Sequence, residues 1–254
     1  MKTTSFELNI TDKQLGCRIV HLSDLHKKKF GKENFKLIKH IKKLAPDIIM
    51  ITGDMISRST TNLDELKNLI TNLSRISPVY YSLGNHEKDL ELINRSLYEE
   101  LIGFLNQNCD LLDNRICTIT FKDTVINICG LTIPQDCYKK NGSYRDLRQL
   151  EKQDIEKLIP DAEKQDINIM LAHNPIFFDA YAQHGLADII LSGHVHGGCV
   201  RLPFLGAVLS PERTFFPKYS SGMYSSENSK MIVSCGLGKF RLFNPSEIVL
   251  ITLN

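Results

Sequence analysis

The sequence predicts an α/β protein in which two β-sheets pack face to face with helices outside. Two observations carry that expectation. In the first half, short Val/Ile/Leu-rich runs alternate with stretches of helical apolar spacing, the pattern of successive βαβ units. In the second half, β-like runs follow one another more closely, beginning with a hairpin. A single domain over residues 1–254, without internal repeats, accommodates both halves. With 42% hydrophobic residues the chain can bury a sizeable interior, and nothing in its composition suggests disorder.

Taken in order, residues 18–22 read as a first buried strand. Phe35, Ile38, Ile41 and Leu44 then recur at helical spacing, and 47–52 is the next strand. Leu63, Leu66, Leu69, Ile70 and Leu73 mark a second helix before a strand at 79–83. Runs of this composition suit parallel strands covered on both faces, joined by right-handed crossovers. A longer helix is expected from about Leu90 to Asn106, after a turn at Gly84–Glu87. Ile116–Phe121 and Thr124–Cys129 flank Lys122-Asp123 as the hairpin that opens the second sheet. Residues 131–146 read as a polar loop with an Asn141-Gly142 turn, and the helix after it places Leu147, Leu150, Ile155 and Leu158 on an inner face. Strands at 167–171, 187–191, 207–210, 231–235 and 247–253 complete the chain.

Thirty-one Lys and Arg against 29 Asp and Glu give no argument for nucleic acid on charge alone. The chain starts without an apolar signal core, and no window approaches a membrane span. Seven cysteines without CxxC spacing suit reduced thiols in a cytoplasm, with Cys17, Cys129 and Cys235 as small buried hydrophobes in strand-like runs. The expected location is therefore cytoplasmic, with peripheral membrane association left open; the oligomeric state is not legible.

Five of the strand-like runs end in residues able to bind metal. These are Asp24-Leu-His26, Gly53-Asp54, Gly84-Asn85-His86-Glu87, His173-Asn174 and Gly193-His194-Val-His196. Singly most are ordinary: Gly-Asp is common turn chemistry, and a lone His before Pro175 is more often a satisfied core residue. Two imidazoles on an x-spaced segment among Gly193, Gly197 and Gly198 are harder to explain structurally. Ligands bind beyond the carboxyl ends of strands in α/β sheets, so the five clusters converge on one rim. Together they describe a site for two metals, with Asp54 the natural bridging carboxylate. The mix of imidazole, carboxylate and amide suits Mn, Fe, Zn or Co better than Mg or Ca.

These blocks resemble the calcineurin-like metallophosphoesterase superfamily, whose five motifs they match in order over residues 24–196. Gly197-Gly198, Arg201-Leu-Pro203, Gly236-Leu-Gly238 and Pro245-Ser-Glu247 are similar to its bacterial YkuE-like and YaeI-like branch. The resemblance implies a four-layer αββα sandwich of two mixed sheets. It assigns Asp24, His26, Asp54 and His196 to one divalent ion, and Asp54, Asn85, His173 and His194 to a second. It makes His86 the non-ligand catalytic histidine and implies attack of metal-bound hydroxide on a phosphoester, with diesters or pyrophosphates favoured over small monoesters. A nuclease acting on nucleic-acid ends and a catalytically silent metal-binding scaffold are the rival readings. The first lacks an aromatic–basic groove signal, and the second ordinarily loses ligands that this sequence keeps.

Two positions depart from the family pattern. Ser57 stands where the second Asp of Gly-Asp-x-x-Asp is usual, which weakens support for a charged His86. Cys199 stands where this branch often carries Gln; size substitution is its leading reading, a substrate contact another. Arg201 is a second candidate substrate contact. Lys27-Lys28-Lys29 reads as a solvated loop or as an attractor of a phosphorylated or anionic-lipid partner. The apolar stretch 202–217, with Phe204, Phe215 and Phe216, reads equally as core or as an approach for a lipid-bearing substrate.

Overall fold

Alternate residues along a strand face opposite sides, and here both sides are apolar. The computed structural model describes residues 1–11, 14–139, 143, 146–160, 162–198, 200–202, 206–209, 214–238 and 244–254. The expected Asn141-Gly142 turn, Cys199 and Phe204 lie outside them. The first sheet uses β1 (Lys2–Leu8), β2 (Cys17–Leu22), β3 (Ile48–Thr52), β4 (Val79–Ser82) and β5 (Asp110–Leu111). Between them run α1 (Phe35–Leu44), α2 (Asp64–Ser74), α3 (Asn85–Ile93) and α4 (Arg95–Asn108). The second sheet begins with the hairpin β6 (Arg115–Phe121) and β7 (Thr124–Leu131). After these come α5 (Lys152–Leu158), β8 (Ile167–Ala172), α6 (Phe178–His184) and β9 (Ile189–Ser192). A small ribbon, β10 (Val200–Leu202) with β11 (Gly206–Leu209), precedes β12 (Gly222–Ser225), β13 (Lys230–Val233) and β14 (Glu247–Leu253).

The first sheet has the order β1-β14-β2-β3-β4-β5 and the second β12-β13-β9-β8-β7-β6. β2 to β5 run parallel, with β14 antiparallel beside β2; β7, β8, β9 and β13 run parallel, edged by antiparallel β6 and β12. Ile19, Ile48, Met50, Ile128, Ile169 and Leu191 meet between the sheets. One residue along, Val20, Ile49 and Ile51 point outward under Leu37, Ile41, Leu69 and Leu101 of the helices. Met170 and Ile190 do the same beneath Ile155 and Tyr181. Strands buried on both faces are why these segments read as continuous apolar runs. The result is the four-layer αββα sandwich of two mixed sheets.

Several local expectations change. The helix expected at 90–106 is two helices, because Asn94 (φ −148°, ψ 84°) breaks it and its side chain caps α4 by accepting the Leu97 N–H (3.2 Å). α3 starts at Asn85, so the Gly-Asn-His-Glu block is a helix N-terminus rather than a turn before one. Phe35 is 61% exposed, and α1 buries Leu37 and Ile41 instead. The 131–146 stretch is less polar than it reads: Leu131 ends β7, and Ile133, Cys137 and Tyr138 are buried. α5 begins only at Lys152, so Leu147 and Leu150 lie before the helix and Leu147 is only partly buried. Cys17, Cys129 and Cys235 are buried. Among the described residues, no helix is long and apolar enough to cross a membrane.

Candidate metal centre

The carboxyl ends of the parallel strands open on one rim. Asp24 and His26 follow β2, Asp54 follows β3 and Asn85 follows β4; His173 follows β8, and His194 and His196 follow β9. Their polar atoms gather in groups within 4.8 Å: Asp24 with His26 and His196, Asp54 with His173 and His194, and His26 with Asp54 and His86. Asn85 lines the same small pocket of about 80 Å³ as Asp54, His86, His194 and His196. The structure thus brings together all eight residues singled out for metal binding and catalysis.

Sharp turns make this gathering possible. Asp24, His26, Asp54, His194 and His196 have φ between 52° and 65°, in the left-handed region that costs a non-glycine residue about 1 kcal/mol or more. Neighbouring backbone holds them there: Asp24 N–H donates to Gly53 O (3.1 Å), His26 N–H to Asp54 O (3.1 Å) and His194 N–H to Asp24 Oδ2 (3.0 Å). At Gly193 a Cβ would overlap Ser23 Oγ and Asp24 Oδ2, so the segments meet closer than any side chain permits. Glu87 fixes the other side. Fully buried, its carboxylate accepts from Asp54 N (2.8 Å), Met55 N (2.9 Å), Gly84 N (3.0 Å) and Tyr81 OH (2.8 Å).

The electrostatics follow from burial and proximity. Burial opposes charge on His173, but Asp54 Oδ2 at 3.2 Å, Asp24 and the Thr52 carbonyl outweigh it and raise its pKa to about 10. Asp54 is correspondingly held well below the usual carboxylate range, since His173 and His86 overcome its own burial. His173 Nδ1 pairs with Thr52 O (2.5 Å) and His26 Nδ1 with Ile56 O (3.2 Å), which leaves each Nε2 facing the cluster. Among the described residues Asn85 Oδ1 is buried with no hydrogen-bond partner. An orphaned amide oxygen beside paired carboxylates and imidazoles is a donor set that fits divalent ions.

Around His86 the Ser57 departure becomes concrete. Ser57 Oγ pairs with Ser59 Oγ (3.3 Å), while the Arg58 N–H donates to His86 Nδ1 (3.1 Å). The Arg58 guanidinium lies 3.3 Å from His86 Nε2 and 3.0 Å from Asp89 Oδ2. Sequence reasoning missed Arg58, Glu87 and Tyr138. The Tyr138 ring meets His194 edge-on at 5.0 Å, from a segment tied to α3 by Gln135 Nε2 donating to Asn85 O (2.9 Å). It also missed Asn244, whose amide donates to His196 O (2.5 Å). Only Glu87 had a signal, as the last residue of the third motif. Arg201 reaches Ser221 Oγ (2.7 Å) and Gly197 O (3.4 Å). In the 202–217 stretch Ala207 is buried, but Phe215 and Phe216 are exposed, so those two are not core.

The family model of the calcineurin-like phosphoesterases matches residues 17–198. An uncharacterised metallophosphoesterase of Campylobacter jejuni is 31% identical over 98% of this chain and 62% of its own length. A Helicobacter pylori metallophosphoesterase is 26% identical over the whole chain and 63% of its own length, so the chain spans less than two thirds of these relatives. The UDP-2,3-diacylglucosamine pyrophosphatase LpxG of Chlamydia muridarum is 26% identical over 92% of this chain and 82% of its own length. Among solved structures, the phosphopantetheinyl hydrolase of Mycobacterium tuberculosis shares the fold, with a TM-score of 0.55 at 13% identity over 90% of this chain and 91% of that one. The chain belongs to the calcineurin-like phosphoesterase family.

Proposed function

We propose that this chain, as one domain, hydrolyses phosphoesters with two divalent ions. In this reading Asp24, His26, Asp54 and His196 hold one ion, and Asp54, Asn85, His173 and His194 hold the other. The observation that carries it is the gathering of ligand atoms at the rim around Asp24 and around Asp54. Bound divalent ions supply charge neutralisation for the phosphoryl group and a nucleophile at neutral pH. The chain's own groups do the rest. In this reading His86, which lines the pocket, assists the leaving oxygen, while Arg58 and Lys139, which line the same pocket, offset phosphoryl charge. The pocket of about 80 Å³ admits little more than the reacting phosphoryl.

For the substrate we propose a diester or pyrophosphate, with a lipid-linked group as the extended case. The likeness to the chlamydial pyrophosphatase supports this, as does the lack of a carboxylate at Ser57, since acidic leaving groups need less proton transfer. Mn-loaded protein should cleave an aryl phosphodiester faster than the matching monoester. Elemental analysis should find about two ions per chain, and Asp54→Asn should lower metal content and turnover together. Full metal occupancy and activity in that variant would overturn the assignment.

A further inference from the structure

A groove of about 610 Å³ lies beside the metal centre, between the segment after β2 and the one joining β3 to α2. Its volume falls in the range of pockets that hold whole small molecules, which the 80 Å³ pocket does not. His26 separates the two spaces. It lines the groove, and its ring lies 4.6 Å from that of His86 and 5.0 Å from that of His196. The part of a substrate beyond its reacting phosphoryl therefore has built space next to the clusters.

The groove's chemistry narrows what that part is. Leu25, Met55 and Ile56 give it an apolar floor, each no more than 4% exposed. The two acids on its rim already have partners: Glu65 pairs with Lys29 (2.7 Å), and Asp64 accepts from Asn62 (2.8 Å). Lys27 and Lys28 have no carboxylate partner among the described residues, and Lys28 Nζ sits 5.8 Å over the Phe30 ring. With three lysines against two carboxylates in its lining, the groove carries an excess of positive charge. An apolar floor suits the face of a ring, and two ammonium groups suit a phosphate.

We propose that this groove binds the organic half of an organic diphosphate. One phosphate lies over the metal clusters, the second between Lys27 and Lys28, and the attached ring on the Leu25–Met55–Ile56 floor. This rests on the phosphoester reading above, so the test reads binding without turnover. The probe is α,β-methylene-ADP, which cannot be cleaved at its bridge, titrated into the full ¹⁵N-labelled chain with diamagnetic zinc. Amides of Lys27, Met55, Ile56 and Thr61 should shift. Lys27→Glu with Lys28→Glu, the first exposed and the second half-buried, should weaken binding about tenfold or more while leaving the rest of the spectrum in place. Methylenediphosphonate should bind more weakly and leave Met55 and Ile56 unmoved. Three outcomes overturn the proposal: shifts confined to the surroundings of Asn85 and His194, unchanged affinity in the double variant, or equal binding of nucleotide and methylenediphosphonate. Groove binding in a chain that hydrolyses no phosphoester would sink the activity and leave the groove standing.

Discussion

His86 accepts the Arg58 N–H at Nδ1, and its Nε2 lies 3.8 Å from Asp54 Oδ2 and 3.3 Å from the Arg58 guanidinium. Burial lowers its pKa to about 4; Asp54 opposes this, while His26 and Arg58 add to it. A depressed histidine pKa means the neutral ring prevails at pH 7, so on the proposed reading His86 would assist as a neutral imidazole more than as a full acid. His86→Ala should therefore lower kcat by a factor nearer 10² than 10⁴, the span usual for a proton-transfer residue, with metal content unchanged by elemental analysis. Loss of metal in this variant would make His86 a ligand instead. Residue types and spacing made the eight site residues legible, because metal chemistry restricts the choice to His, Asp and Asn. Arg58 and Tyr138 were not legible: their roles come from proximity to His86 and His194, which no local pattern encodes.

Glu87 joins three elements at the first turn of α3, taking donors from the segments after β3 and β4 and from the β4 side chain Tyr81. Its pKa is raised, by burial first and then by Asp54, with the Tyr81 hydroxyl working against both. Glu87→Gln would turn an NH₂ toward backbone N–H groups and leave at least one unsatisfied. The expected cost is about 2–4 kcal/mol, measurable as a lower urea midpoint, with metal affinity falling alongside. An unchanged midpoint would mean the four bonds are incidental. Among elements, the fully covered strands β2, β3, β8 and β9 were readable because burial on both faces leaves unbroken apolar runs. β1, β5 and β12 were not. The first and last are edge strands with exposed positions, the other is only two residues long, and such strands carry little hydrophobic pattern. The break at Asn94 escaped notice because apolar spacing continues across it.

Two of the three atom groups at the rim draw on both sheets: Asp24 and His26 from the first with His196 from the second, and Asp54 from the first with His173 and His194 from the second. Ions held there would bind the folded protein and not the unfolded chain, so metal should raise the melting temperature. At a hundredfold excess over Kd the gain is about 2.7 kcal/mol, or roughly 5–11 °C for a chain of this size. Calorimetry with Mn and with chelator should show that difference in the native chain and lose most of it in Asp54→Asn; equal melting temperatures would argue against tight binding. The two-sheet origin of the ligands has one more consequence. On the proposed assignment neither sheet alone would supply a complete coordination sphere, so the centre would work as a gauge of how the sheets are aligned. A slide of about 1 Å between them, too small to expose the core they share, would displace three donors together, and misplacements of that size cost catalysis heavily. Function in this fold should therefore fail at a degree of shear the sandwich itself survives.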